Sequence, residues 1–422
     1  MKEQENLEDN NLIPDPWSLS LETLDVSKAE IFQNDQHGEY FKRLRKEAPV
    51  HYCPESQFGP YWSITKFKDI IAIDSDHKRF SSDRDIVIGD APEELVTPMF
   101  IAMDQPKHDI QRRTVQPAVA PSQLADIEIL IRQRVCNILD ELPINEEFNW
   151  VELVSKELTT QMLATLFDFP FEDRHLLPYW SDVATTSETV GIEVDMEERQ
   201  RVLIEECLAY FSKLWHERAA APKKFDFISL FAHGEETKDM INDPKEFLGN
   251  LILLIVGGND TTRNSISAGV VELNRNPKEF DKLTSNPALI PNMVSEIIRY
   301  QTPLGHMRRT ALEDVDFKGQ KISKGDRVVM WYVSGNRDEE VIENPDAFII
   351  DRDKARQHLS FGFGIHRCMG NRVGEMQLRI LWEEILNRFS RIEMVGEPER
   401  VLSNFVMGYS NVPVILHKIT TP

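Results

Sequence analysis

The run His358–Gly370, HLSFGFGIHRCMG, sets one of the chain's four cysteines, Cys368, among glycines and aromatic residues. Gly362, Gly364 and Gly370 leave the backbone free to turn tightly and to lie flat against something large. Past Gly370 the sequence takes a helical period, with Val373, Met376, Ile380, Leu381, Ile385 and Phe389 as its apolar stripe. Glu375, Arg379, Glu383, Glu384 and Arg388 fill the polar positions. Cys368 therefore lies in a loop just before the amino end of a long helix, where free N–H groups and the helix dipole favour a thiolate. The plainer alternative is a buried cysteine in a glycine turn.

A single thiolate is a soft metal ligand that suits an axial haem position better than zinc or an iron–sulfur cluster. The segment Phe361–Gly370 also matches FxxGxxxCxG at every fixed position. That is the haem-binding signature of the cytochrome P450 superfamily, which the chain resembles from about Tyr40 to about Val414. FGFGIHRCMGNR and the upstream MWYVSGNRDE are similar in particular to the bacterial soluble alkane and fatty-acid terminal hydroxylases. The resemblance implies a mainly α fold, a single triangular haem-thiolate domain over residues 16–422 with small, mostly antiparallel sheets. Haem b would be held by Cys368, with Phe361 and Gly370 in its cradle.

Working outward, 422 residues with 41% hydrophobic side chains can bury a sizeable core. A net charge of -22 argues against binding nucleic acid or an anionic membrane surface. Cysteines at only 53, 136, 207 and 368 give no disulfide framework and suit a reducing compartment. The opening MKEQENLEDNN is acidic and polar, so residues 1–15 are expected to be disordered, and neither signal peptide nor anchor. The central apolar run Leu251–Val256 is too short to span a bilayer. A soluble, cytoplasmic, monomeric enzyme is expected.

Residues Glu39–Glu47 read as a helix stopped by Pro49, and PVHYCP and YWSITK as strands about a Phe58–Gly59–Pro60 turn. FKDIIAID reads as the helix that follows, and Ser82–Met103 as a long loop, which in the family closes over the substrate. In MDQPKHDIQRRTVQPAV, His108 and Arg112 stand four apart on one helical face. By themselves they make a solvated basic face; the family's DPPxHxxxR element implies contacts to a haem propionate. Gln105 and Lys107 depart from that element without touching the two basic residues. Helical periods follow over Leu124–Leu139 and Val151–Leu166. Val194–Gln200 and Glu235–Lys245 are charged and loop-like, in a region that forms the family's movable roof.

Phe247–Leu273 predicts a helix of roughly 40 Å, long enough to cross the molecule. Gly257, Gly258, Asp260 and Thr261 interrupt its apolar character, and glycines cost a helix about 1 kcal/mol each. These residues match the family's (A/G)Gx(D/E)T, which implies that Thr261 orients a hydrogen bond beside the dioxygen site and Asp260 relays protons. In SEIIRYQTP, Glu296 and Arg299 stand three apart and form either a surface pair or the family's buried ExxR, with Arg352 as third member. Arg309 aligns with the family's strand arginine for the other propionate, Arg308 being the alternative, and His366 completes the propionate contacts. The pocket candidates are Ile255, Gly258, Leu304, Gly305, Met307, Phe405 and Val406.

The resemblance implies a monooxygenase using O2 and two electrons from NAD(P)H, passed through a flavoprotein reductase and an iron–sulfur ferredoxin, since no such module is fused here. Basic residues near the proximal side, such as Arg367 and Arg372, would meet an acidic ferredoxin despite the net charge of -22. Terminal hydroxylation of medium-chain alkanes or fatty acids is the expected activity. Terpenes or steroids with subterminal attack are an alternative. A peroxide-driven hydroxylase would lack the Asp260–Thr261 pair, and that pair also argues against a non-catalytic haem sensor or carrier.

Overall fold

The computed structural model describes residues 13–91, 96–186 and 195–419; the expected disorder of residues 1–12 lies outside them. Val50–Cys53 (β1) and Tyr61–Ile64 (β2) pair antiparallel, Val50 facing Ile64 and Cys53 facing Tyr61. Phe80–Ser81 (β3), Met307–Ala311 (β4) and Arg327–Met330 (β5) complete a sheet of order β1-β2-β5-β4-β3, parallel only between β2 and β5. Distant sequence is thereby laid beside the early sheet, so that β4 starts at a wall of the site described below. Val315–Phe317 and Gln320–Ile322 form a separate antiparallel hairpin. A further sheet joins Glu147–Asn149, Phe389–Met394 and Pro413–Lys418.

Helices make the bulk: Lys107–Val115 (α1), Pro121–Asp140 (α2), Glu157–Leu166 (α3), Leu176–Thr185 (α4), Pro244–Arg275 (α5), Ile290–Gln301 (α6) and Asn371–Arg388 (α7) are the ones that position the site. The helix expected from Val151 opens as a π-helical turn, Val151–Lys156, before α3. Met196–Gln200, expected as loop, is helical and runs into a π-helical segment, Arg201–Leu208. The Asp195 carboxylate accepts from the N–H groups of Glu197 and Glu198, so the charges that suggested a loop are a capped helix end. Among the described residues no helix is long and apolar enough to cross a membrane.

The central helix α5 has 32 residues, starts at Pro244 and is capped by the Asp243 carboxylate, which accepts from the Glu246 N–H. Its two halves serve different cores. Phe247, Leu248, Leu251, Leu254 and Ile255 pack with Phe167, Phe211 and Phe227 in the roof. Ile266, Ala268, Val270, Val271 and Leu273 pack with α2, α6 and α7. Neither core claims the stretch between, where the glycines lie. Three buried polar side chains along α5 pair with neighbouring segments: the Asn250 carboxamide accepts from the Phe100 N–H (3.0 Å), the Asn259 carboxamide accepts from the Thr159 hydroxyl (2.8 Å), and Ser267 meets Ser155 (2.8 Å).

Glu296 and Arg299 are fully buried, not a surface pair. Arg299 donates to both Glu296 oxygens at 2.8 Å, and Arg352 Nε reaches the same carboxylate at 3.1 Å. The remaining Arg299 donors meet the carbonyls of Asn336, Pro345 and Ala347, and the Ile349 N–H donates to Glu296. One carboxylate thus fixes α6 to the chain that leads into the Cys368 loop. Glu296→Ala would leave two arginines facing each other without their anion, and breaking such a pair costs about 3–5 kcal/mol. Chemical denaturation should show a loss of that order, and an unchanged midpoint would remove this anchoring role.

Candidate active site

Between the middle of α5 and the loop before α7 lies a cavity with about 1530 Å³ of atom-free space, part of it open to solvent. Gly257, Gly258 and Thr261 line one side; Phe361, His366, Cys368 and Gly370 line the other. The Cys368 loop is closed by its own backbone, the Cys368 N–H donating to the Phe361 carbonyl at 2.8 Å. Gly362 and Gly364 have φ of +65° and +67°, the left-handed region that disfavours a side chain. A Cβ on Gly364 would also sit 2.5 Å from the Asp74 carbonyl oxygen.

Asp74, which sequence reasoning missed, anchors this loop. Its carboxylate accepts from the Phe363 N–H (2.7 Å), the Tyr332 hydroxyl (2.7 Å) and the Arg309 guanidinium (2.6 Å). The available signal was an acid one residue past Ile73, on the buried side of the helix Phe67–Ser75.

The Cys368 thiol faces the open cavity. Dehydration by the protein around it raises its pKa, against the N–H groups of Gly370 and Asn371 and the charges of Arg112 and Arg367. A cluster of donors borders the same floor. Arg112, Arg309 and His366 line the cavity; His108 does not, but its ring centroid lies 4.2 Å from that of His366. His108 Nδ1 meets Asp109 at 2.8 Å, while its Nε2 and both His366 ring nitrogens are buried without hydrogen-bond partners. Burial pushes both imidazoles down from their ordinary pKa. Orphaned buried nitrogens next to two arginines call for an anionic partner. Arg308 is turned elsewhere, its guanidinium meeting Asp90 at 2.6 Å.

A flat floor fits the same group. Gly370 borders the cavity, and a Cβ there would meet no protein atom within 4 Å. A lone soft sulfur, a glycine floor and a rim of cationic and imidazole donors suit haem b, whose iron Cys368 would hold and whose propionates Arg112, Arg309 and His366 would meet, with His108 behind His366.

Opposite, the Thr261 hydroxyl donates to the Gly257 carbonyl at 2.9 Å and borders the cavity. Asp260 is fully buried behind it and does not line the cavity. Its Oδ1 accepts from Asn259 (3.0 Å) and Ser181 (3.3 Å) and pairs with Arg263 (2.8 Å); Oδ2 has no partner. Burial pushes this carboxyl up to about 6, against the Arg263 guanidinium that pulls it down. Arg263 also pairs with Asp182 at 2.9 Å, and Lys156 stands 3.8 Å from Asp182, whose side chain is 45% exposed. Charged groups thus lead from the surface to Asp260.

Of the seven pocket candidates, Gly258, Leu304 and Met307 line the cavity. Ile255 does not: it is fully buried in the roof core, because the turn of α5 points it away. Gly305, Phe405 and Val406 also lie outside the lining. The Gly305 N–H is bonded to the Phe405 carbonyl (2.7 Å), and Phe405 and Val406 pack behind Leu304 and Met307. Lining that the sequence did not reveal includes Phe100, Ile101, Leu163, Phe227, Leu253 and Leu254, from segments with no shared period.

The family model described as Cytochrome P450 matches residues 121–414. The chain is 35% identical to linalool 8-monooxygenase of Pseudomonas putida, over 94% of this chain and 99% of that one. It is 30% identical to a methyl-branched lipid omega-hydroxylase of Mycobacterium tuberculosis, over 89% and 90% of the two chains. The solved structure of cytochrome P450-153 from Novosphingobium aromaticivorans matches with a TM-score of 0.87 and 45% identity, covering 94% of this chain and 100% of that one. Shared fold and near end-to-end sequence likeness agree with the chemistry of the Cys368 loop, and the chain belongs to the cytochrome P450 family of monooxygenases.

Proposed function

We propose that this enzyme hydroxylates the terminal carbon of medium-chain, uncharged hydrocarbons, with alkanes the preferred class and fatty acids poorer substrates. One observation carries the reading. Among the described residues every charged group lining the cavity (Asp74, Arg112, Arg309, His366 and Cys368 counted with their ionised forms) belongs to the thiolate floor or its rim. The substrate side is Phe100, Ile101, Leu163, Leu253, Leu254, Leu304 and their neighbours. Such a lining favours each buried methylene by about 0.8 kcal/mol, whereas a carboxylate brought inside would lose its hydration with no cation to meet it. An acid would therefore have to keep its head group outside while its methyl end enters. Likeness to an omega-hydroxylase supports the same regiochemistry. The linalool relative makes a neutral acyclic terpene alcohol the second reading.

When bound through Cys368, haem supplies the activation of dioxygen and the oxidation of the C–H bond, aided by the donating thiolate. The chain's own part is to place and to protonate. Leu304 and Met307 present the substrate end to the floor, and the gap at Gly257 leaves room between α5 and the thiolate. Thr261 offers its hydroxyl oxygen at the cavity edge. Asp260, reached from the surface by way of Asp182 and Arg263, holds a transferable proton on Oδ2. Electrons from NAD(P)H arrive through a flavoprotein reductase and a ferredoxin that docks by exposed Arg367 and Arg372. The enzyme works as a cytoplasmic monomer.

Two expectations follow for the relay. Thr261→Ala should release peroxide at the expense of product, measured as product formed per reductant consumed. Asp260 must be protonated to donate, so coupled turnover should fall as pH rises through about 6; Asp260→Asn should be slow and lose this dependence. Unchanged coupling and pH profile in both variants would remove the relay.

The substrate reading is checked by gas chromatography of products from octane and dodecanoic acid with surrogate redox partners. The expected result is mainly 1-octanol from octane, and slower turnover of the acid to its ω-hydroxy product. Predominantly subterminal alcohols, or faster turnover of the acid than of the alkane, would overturn it.

A further inference from the structure

His306 stands between the two cavity-lining residues Leu304 and Met307 in sequence, yet it does not touch the cavity. It is fully buried, against Trp331 (ring centroids 4.8 Å apart) and Phe405 (5.3 Å). Both ring nitrogens are used. Nε2 accepts from the Ile88 N–H at 3.1 Å, and Nδ1 donates to the Asn404 carbonyl at 3.1 Å. These bonds fix one neutral tautomer, because a protonated ring could not accept from Ile88. Burial, which lowers the ring's pKa to about 4, keeps it neutral.

The three segments joined at this ring make one wall. Leu304 bridges Val406, the Met407 N–H donates to the Pro303 carbonyl (2.9 Å), and the Val333 N–H donates to Gly305 (3.1 Å). Asn404 is itself tied down, its amide donating to the Ser27 carbonyl at 2.6 Å. From the third segment, Val87 packs with Phe405, Val406, Leu304 and Met307. The Arg308 N–H holds the Ile86 carbonyl at 2.8 Å, so the loop meets this wall at two successive backbone points. Among the described residues, His306 is the side chain that hydrogen-bonds to both the loop and the 403–407 turn.

We propose that His306 is a specificity-determining positioning residue: by linking Ile88 to Asn404 it sets how far Leu304 and Met307 project into the cavity, and so which substrate carbon is presented for attack. The inference rests on Leu304 and Met307 facing the substrate, as in the function proposed above. It does not rest on that function's being terminal, since the ratio between neighbouring carbons is the quantity controlled.

The test uses haem-loaded enzyme and octane. His306→Phe fills the space but can neither accept from Ile88 nor donate to Asn404; His306→Gln retains one donor and one acceptor. With the carbon monoxide difference band intact, His306→Phe should change the parent's ratio of 1-octanol to 2-octanol by about threefold or more and raise KM more than it lowers kcat. His306→Gln should restore most of the parent ratio. Hydrogen exchange supplies a readout independent of turnover: the Ile88 amide should exchange roughly tenfold faster in His306→Phe. Should that variant fail to take up haem, Ile88→Pro, which removes the loop-side donor together with the buried Ile88 side chain, should shift the ratio in the same direction. An unchanged ratio in whichever of these variants binds haem, or unchanged Ile88 exchange in His306→Phe, would overturn the proposal. A parent that makes no 1-octanol would count against terminal hydroxylation, but the change in its own product ratio on substitution would still decide the role of His306.

Discussion

A sulfur and a helix must face each other across a space that neither fills, and most of this structure is arranged to keep that space open. On one side the Cys368 loop would relax if it were not held. The Asp74 carboxylate ties it to the early sheet and to Arg309, its own Cys368-to-Phe361 hydrogen bond closes it, and Gly364 brings it against the Asp74 backbone. On the other side α5 divides its apolar residues between two cores and leaves Gly257 and Gly258 to neither. A Cβ on Gly257 would meet no protein atom within 4 Å, while one on Gly258 would lie 2.7 Å from Leu163. The glycines thus serve different ends, one leaving space and the other allowing close packing.

Electrostatics is partitioned in the same way. Cations and imidazoles gather at the floor, where an anionic group is needed, and the acid of α5 is kept one layer behind the wall. Burial raises the Asp260 pKa and the Arg263 guanidinium lowers it. Arg263 lies between Asp260 and the half-exposed Asp182, which is the path that the proposed relay would use. Among the described residues the substrate side of the lining carries no charge, and that absence supports the hydrocarbon substrate proposed above.

What could be read from the sequence was whatever a fixed spacing encodes. The Cys368 run, the interrupted helix, the Glu296–Arg299 pair with Arg352, and His108 with Arg112 are local patterns; in the structure Cys368, Gly257, Gly258, Thr261 and Arg112 border one cavity, and Glu296, Arg299 and Arg352 meet in one buried cluster. Side chains that act through tertiary approach were not legible. Asp74 looks like one more acid on an amphipathic helix until the Cys368 loop folds onto it. Ile255 sits in the right helix but on the wrong side of its turn, and Phe405 and Val406 belong to the right wall one layer too deep. His306 carries no motif at all, because its meaning depends on Ile88 and Asn404, both far away in sequence. Charge misled around residues 195–200, where a capped helix end resembles a loop in composition.

The central claim is that Cys368 is the thiolate to which the rest of the fold is fitted. The most direct measurement is the difference spectrum of the reduced, carbon monoxide-bound protein for the parent and for Cys368→Ala. The parent should show the band characteristic of a thiolate-ligated haem, and Cys368→Ala should lose it. Persistence of that band without the Cys368 sulfur would contradict the account.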